Sequence, residues 1–155
     1  MDSTSITLLA AIIILVAFSA YFSATETAFT SLNRIRLKTR ADDGDRRAEK
    51  VLKLAEQYDR LLSTILIGNN IVNITATTLS TVLFVKLCGD QTGPSISTVV
   101  LTVVILIFGE VSPKSLAKEA PETWAMFAAP LLHGLMVVLT PLNFLFSCWK
   151  KLLNR

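Results

Sequence analysis

Four stretches of this chain carry no Asp, Glu, Lys or Arg: Ser3 to Thr25, Leu61 to Val85, Gln91 to Gly109 and Thr123 to Trp149. In lipid every backbone N–H and C=O must find its partner inside the protein. Uncharged apolar runs of about 18 or more residues therefore fold as membrane-embedded helices. An apolar fraction of 52% would suit a soluble protein, but the mean hydropathy is +0.54 and the charges are segregated between the runs. That segregation excludes a disordered chain, a nucleic-acid-binding domain and an ordinary soluble enzyme. Cys88 and Cys148 lie far apart without a CxxC partner, so neither a disulfide scaffold nor a zinc module is in play. Before Glu26 the only charge is Asp2, and the first apolar run is long for a signal peptide. It reads as a retained first span.

The expected fold is an all-α integral membrane protein occupying residues 1–155 as one domain. Transmembrane helices are expected at about 5–31, 61–85 and 96–117. Juxtamembrane segments are expected at 34–60 and 122–151. The stretch from Arg34 to Arg60 holds nine basic and six acidic residues. Basic flanks favour the cytoplasm, which places the N-terminus outside and the C-terminus in the cytoplasm. Within this stretch Val51, Leu54, Ala55, Tyr58, Leu61 and Leu62 recur at helical spacing, which predicts an amphipathic helix lying against the inner leaflet. Asp42-Asp43-Gly44-Asp45 lacks the alternate acidic spacing of an EF-hand and reads as a turn and a helix cap. In the last apolar run, Pro130, Gly134 and Pro141 leave pieces of about ten residues, near 15 Å each, too short for a core of about 30 Å. The expectation is a Pro-broken helical hairpin on the cytoplasmic side. A kinked fourth span is the alternative, since membrane helices tolerate Pro.

Polar residues inside spans usually face a bundle interior or a pathway. Ser19, Ser23, Glu26 and Thr30 are spaced four, three and four apart and share one helical face. Asn69, Asn70 and Asn73 fall within about one turn, and Thr77 continues their stripe. Thr98, Thr102, Gly109 and Ser112 share a face of the third run, with Glu110 beside it. Ser23, Asn70 and Glu110 all lie about 12–17 Å from the basic boundary at 1.5 Å per residue. Proline has no N–H, so Pro113 leaves the Gly109 carbonyl without its i→i+4 donor. A free carbonyl beside a carboxylate outlines a cation site. Every donor at this level is oxygen, which disfavours zinc, copper and iron and leaves Mg2+, Ca2+, Na+ and K+. Glu26 and Glu110 together would suit a divalent ion. The bland reading is that these hydroxyls and amides tie helices together. The lone histidine, His133, fits a packed or interfacial position better than a catalytic one, and no GxSxG or HExxH motif is present.

Three motifs resemble the signatures of the CorC/CNNM (cyclin M) family. They are the stretch from Phe22 to Leu32 (FSATETAFTSL), the stretch from Ile65 to Asn73 (ILIGNNIVN) and the stretch from Phe108 to Lys114 (FGEVSPK). They occur in that family's order, and the likeness covers the chain from about Ile6 to Leu145. The resemblance implies a homodimeric magnesium transporter domain in membrane lipid, exporting Mg2+ in exchange for Na+. It implies a Mg2+ site at Ser19, Ser23, Asn70, Gly109 and Glu110, with Glu26 and Asn73 nearby and Pro113 shaping the backbone. It also implies a cytoplasmic pair of CBS modules that bind ATP–Mg2+, which would follow the last residue here. A Mg2+-binding sensor subunit and a structural membrane scaffold are the rival readings. The first would bind the ion without moving it; the second would bind none.

Overall fold

The computed structural model describes residues 2–155, and helices account for nearly all of them. The first, α1 (Ser3–Thr30), starts at Asp2, whose carboxylate accepts from the Ser5 N–H at 2.9 Å. Two short helices follow, α2 (Arg34–Asp42) and α3 (Arg46–Glu56). Asn33 caps α2 by accepting from the Arg36 N–H at 3.0 Å. Asp45 caps α3, accepting from the amides of Arg47 at 3.0 Å and Ala48 at 3.4 Å. The acidic stretch before α3 is thus the turn and cap that its spacing predicted. The long α4 (Tyr58–Cys88) ends at Gly89, whose φ of +90° is open to glycine and strained for other residues. α5 (Gly93–Glu119) contains a π-helical segment, Ile105–Val111. The chain ends in α6 (Pro121–Val138) and α7 (Thr140–Leu153), bent by 70° relative to each other. α1, α4 and α5 are each long and apolar enough to cross a membrane.

α1 is the hub. It packs along α4, along the π segment and final turns of α5, and along α6. α4 instead follows the first half of α5, residues 93–104. Small residues permit these approaches, as is usual between membrane helices. A Cβ at Gly68 would overlap the Phe22 ring, which is only 3% exposed. Ser80 of α4 and Ser97 of α5 share a buried hydrogen bond of 2.7 Å. At the end far from α2 and α3, the Asp2 carboxylate meets the Lys86 ammonium at 2.7 Å and ties α1 to α4.

Two local expectations need correction. The apolar face of α3 does not lie on lipid. Ala48, Val51, Leu54 and Ala55 are buried with Ala125, Met126, Ala129, Leu132 and Met136, so the face docks on α6. Alanines at three α6 positions (Ala125, Ala128 and Ala129) let the neighbouring helices come close. Pro130 does not break the last apolar run either. It sits on an exposed flank inside α6, whose other flank is held by α1 and α3. The break falls at Leu139, and Pro141 lies in the first turn of α7, where a missing N–H costs nothing.

The α6–α7 pair, bent by 70°, is held on the basic side. Glu122 at its start meets Arg36 at 3.5 Å. At its bend, Arg60 donates to the Met136 carbonyl at 3.2 Å and to Thr140 Oγ1 at 2.8 Å. Near its end, Lys150 lies 3.7 Å from Asp59. Start, bend and end all sit at the same end of α1 and α4. The three expected spans are present, and the bent α6–α7 pair is held at the basic end of the bundle.

The Phe22–Gly68 contact yields a paired test. Gly68→Ala should destabilise by about 1–3 kcal/mol, the range for overpacking a closed contact. Gly134, in the interior of α6, has nothing within 4 Å of an added Cβ. Gly134→Ala should therefore stabilise by about 0.5–1 kcal/mol through helix propensity. Unfolding in detergent reads both, and shifts of the same sign would contradict the packing described.

Candidate functional site

α1, α4 and α5 come together around one hydroxyl. Ser19 is fully buried, and its Oγ donates to Asn69 Oδ1 at 3.3 Å. Gly109 presses on the same atom, for an added Cβ would lie 2.9 Å from Ser19 Oγ. Glycine is needed there because α5 runs so close to α1 that even a methyl group would push the hydroxyl aside.

One turn further along α1, the Ser23 hydroxyl is buried and has no hydrogen-bond partner. Burying an unpaired hydroxyl costs about 1–3 kcal/mol, so such a group in a native fold calls for a reason. Asn73 Oδ1 is buried and unpartnered as well. The two do not belong to one cluster. α1 and α4 are antiparallel, so Ser23 lies toward the basic end from the Ser19–Asn69 contact and Asn73 lies toward the far end. Four residues each way separate them by about 12 Å along the bundle. Glu110 and Glu26 lie on the Ser23 side. Glu26 is partly buried and follows Ser23 by three residues on the same face.

Asn70 is exposed, and Asn69 is the amide that faces α1. The buried positions Leu61, Ile65, Gly68 and Ala76 mark the α1-facing stripe of α4. Had that stripe been weighed, it would have favoured Asn69 over Asn70. The sequence reading also left out Lys114. Its Nζ lies 3.1 Å from Glu110 Oε2, a carboxylate whose side chain is only 25% exposed. The available signal was the i,i+4 spacing of Glu110 and Lys114.

The backbone around Glu110 is wider than expected. The Ser112 N–H reaches back five residues to the Ile107 carbonyl, not four to Phe108. Pro113 has no N–H to offer. The Phe108 carbonyl thus loses its i+4 donor to the π register, and the Gly109 carbonyl loses its own to proline. Two consecutive carbonyls without i+4 donors thus lie beside a carboxylate.

Among the described residues no three His, Cys, Asp or Glu side chains come together. The donors in this region are hydroxyls, an amide, carbonyls and the carboxylates of Glu110 and Glu26, a set for hard cations. His133 lies elsewhere. It is exposed and lines a cavity of about 380 Å³ between α3 and α6 with Lys50, Lys53 and Arg60.

Comparison with known proteins agrees with this architecture. Residues 10–155 match the family model of the cyclin M transmembrane N-terminal domain. The chain is 45% identical over 137 residues to the UPF0053 inner membrane protein YfjD of Escherichia coli, covering 88% of the chain and 32% of that protein. It is 42% identical over 152 residues to a UPF0053 protein of Haemophilus influenzae, covering 97% and 36%. A polyamine export protein of the same organism is 28% identical over 149 residues, covering 88% and 34%. The chain spans about a third of the length of these relatives. With residues 10–155 matched and three membrane-crossing helices in place, this integral membrane chain belongs to the cyclin M transmembrane-domain family.

Proposed function

We propose that the chain is the membrane-crossing part of a magnesium transporter that exports Mg2+ in exchange for Na+. The observation that carries the reading is Glu110, a carboxylate within a span, beside two carbonyls without i+4 donors and next to Gly109, which lies against the buried Ser19 hydroxyl. Ser23, Glu110 and the Gly109 carbonyl are the leading ligands, with Ser19 and Asn69 completing the set. Pro113 keeps the Gly109 carbonyl available. The domain works as a homodimer, with the N-terminus outside and the α6–α7 pair in the cytoplasm. The concentration of Lys and Arg between Arg34 and Arg60 supports that orientation.

A second reading has its own support. Glu110 already holds a primary ammonium, that of Lys114, and a polyamine presents the same group. Two relatives, 28% and 27% identical, are named polyamine export proteins. Purified protein in liposomes separates the readings. Mg2+ flux that depends on a Na+ gradient supports the first, and putrescine flux without Mg2+ flux supports the second. Glu110→Ala should reduce flux to that of protein-free liposomes, and retained Mg2+ flux would refute the site. Its ion-free stability should change little, because alanine removes a carboxylate that is costly within a span and Lys114 can extend its stem toward the basic boundary.

Ser23→Ala discriminates a ligand from a helix tie. Removing an unpaired hydroxyl should leave the ion-free melting temperature unchanged or slightly raised. The rise in melting temperature on adding Mg2+ should shrink, since a ligand stabilises by RT ln(1 + [L]/Kd). The opposite pattern, lower ion-free stability with an intact Mg2+ response, would make Ser23 structural. Orientation is tested by adding a cysteine at residue 155 in a chain lacking Cys88 and Cys148. Labelling by an impermeant reagent from outside the cell would reverse the topology.

A further inference from the structure

Glu110 has a partner that any incoming ion must displace. We propose that Lys114 is the site's tethered cation: it neutralises Glu110 when the site is empty, leaves it when an ion binds, and so sets the site's affinity. The inference rests on the reading of Glu110 as an ion ligand and goes beyond it by assigning a role to a residue outside the ligand set.

The argument begins with charge in hydrocarbon. An ionised carboxylate within a span is costly unless paired, and the 3.1 Å contact with Lys114 supplies the pairing. A carboxylate oxygen engaged by an ammonium is not free to coordinate a metal ion. The two cations also repel each other at short range. Ion binding at Glu110 and the Glu110–Lys114 pair therefore compete, and the pair lowers the apparent affinity as any competing state does.

Lys114 has somewhere to go. It lies five residues before the end of α5 at Glu119, about 7.5 Å along the axis. Its side chain is 41% exposed, against 25% for Glu110. A lysine so placed can extend its flexible stem toward the basic boundary and keep its head solvated there. It thus has two positions, one on the carboxylate and one toward the interface. Pro113, directly before it, removes an N–H just where the helix passes from π to α, so the turn carrying Lys114 is only partly tied to the Glu110 turn. A transporter also benefits from the competition. An ion held by Glu110 alone would be hard to release, and a returning ammonium replaces it without leaving a bare charge.

The test measures the Mg2+ concentration that gives half the maximal rise in melting temperature, using the purified full chain in detergent. Lys114→Gln should lower that midpoint on the order of tenfold, since removing a competing state raises apparent affinity. It should also reduce the maximal Mg2+ flux in liposomes, because release is no longer assisted. Lys114→Arg keeps a cation and should stay near the wild-type midpoint. Lys118→Gln, one turn away and exposed, should leave the midpoint unchanged. The double variant Glu110→Gln/Lys114→Gln should lose the Mg2+ response. If the wild type responds but Lys114→Gln has the same or a higher midpoint, the tethered-cation proposal is wrong and the Mg2+ site stands. Equal tightening in Lys118→Gln would reduce the effect to general surface charge and also overturn the proposal. If the wild type shows no Mg2+ response, the Mg2+ reading itself fails and the proposal falls with it. A lysine that served only to stabilise the fold would lower ion-free stability without moving the midpoint.

Discussion

The Phe22 ring lies against Gly68, and the positions of the polar groups follow from that contact. Lipid gives helices no hydrophobic reason to associate, so close fit must hold them together. Gly68 lets the ring in, and the surrounding Leu61 and Ile65 of α4 are essentially buried. The contact fixes the axial register of α1 against α4. The next residues on each helix are Ser23 and Asn69, and Ser19 meets Asn69 only in that register. On its other side Phe22 stands edge-on to Tyr21 at 5.4 Å. The Tyr21 hydroxyl donates to the Ala128 carbonyl at 2.8 Å and so carries the same register to α6. Trp124 repeats the link one turn away, its indole N–H donating to Thr25 Oγ1 at 3.2 Å.

With α1 clamped between α4 and α6, the irregular part of the bundle is α5. Its first half follows α4, and its second half turns to α1. The change of partner coincides with the π segment, where one wider turn rotates the following residues relative to an ideal helix. Gly109 sits inside that segment and makes the closest approach to α1. A regular α-helix could not keep both contacts while placing two carbonyls without i+4 donors beside Glu110. Gly109 in this segment lies against the Ser19 hydroxyl rather than lipid, the setting in which irregular backbone is tolerated in a span.

Much of this was legible in advance, for identifiable reasons. Span positions depend on the absence of charge over long runs, a property of the chain alone, and Ser3–Thr30, Tyr58–Cys88 and Gly93–Glu119 lie close to the expected limits. The Asp45 cap was legible because capping is local. What escaped depends on neighbours. The apolar face of α3 has the same pattern whether it meets lipid or α6, and only the alanines of α6 decide. Pro130 suggests a break in an isolated helix, and packing on α1 and α3 overrides it. Asn69 and Asn70 are adjacent, so a shared turn could not say which faces inward. The π register adds one residue to a turn without leaving a pattern in side-chain periodicity. The family resemblance includes Lys114 in its third motif, FGEVSPK, but leaves it outside the ligand set it implies.

Charge balance is the remaining constraint on any function. Lys86 lies within the apolar spans but is matched by Asp2 at one end, and Glu110 is matched by Lys114 near the middle. The Glu110–Lys114 pair is thus close to neutral, and Glu26 is the other carboxylate on the Ser23 side of the candidate site. Such a site does not need a metal ion in order to fold, unlike a cluster of carboxylates, which would repel one another when empty. A divalent ion at Glu110 would meet that carboxylate and several dipoles, a field that favours binding without making release prohibitive. A bound ion that displaced Lys114 would also shift one positive charge toward the basic end. The occupied and empty states would then differ in where charge sits along the bundle as well as in how much there is. In a membrane that carries a potential, moving a charge along the normal is itself a free-energy term, about 2.3 kcal/mol per charge across 100 mV for the full thickness and less for part of it.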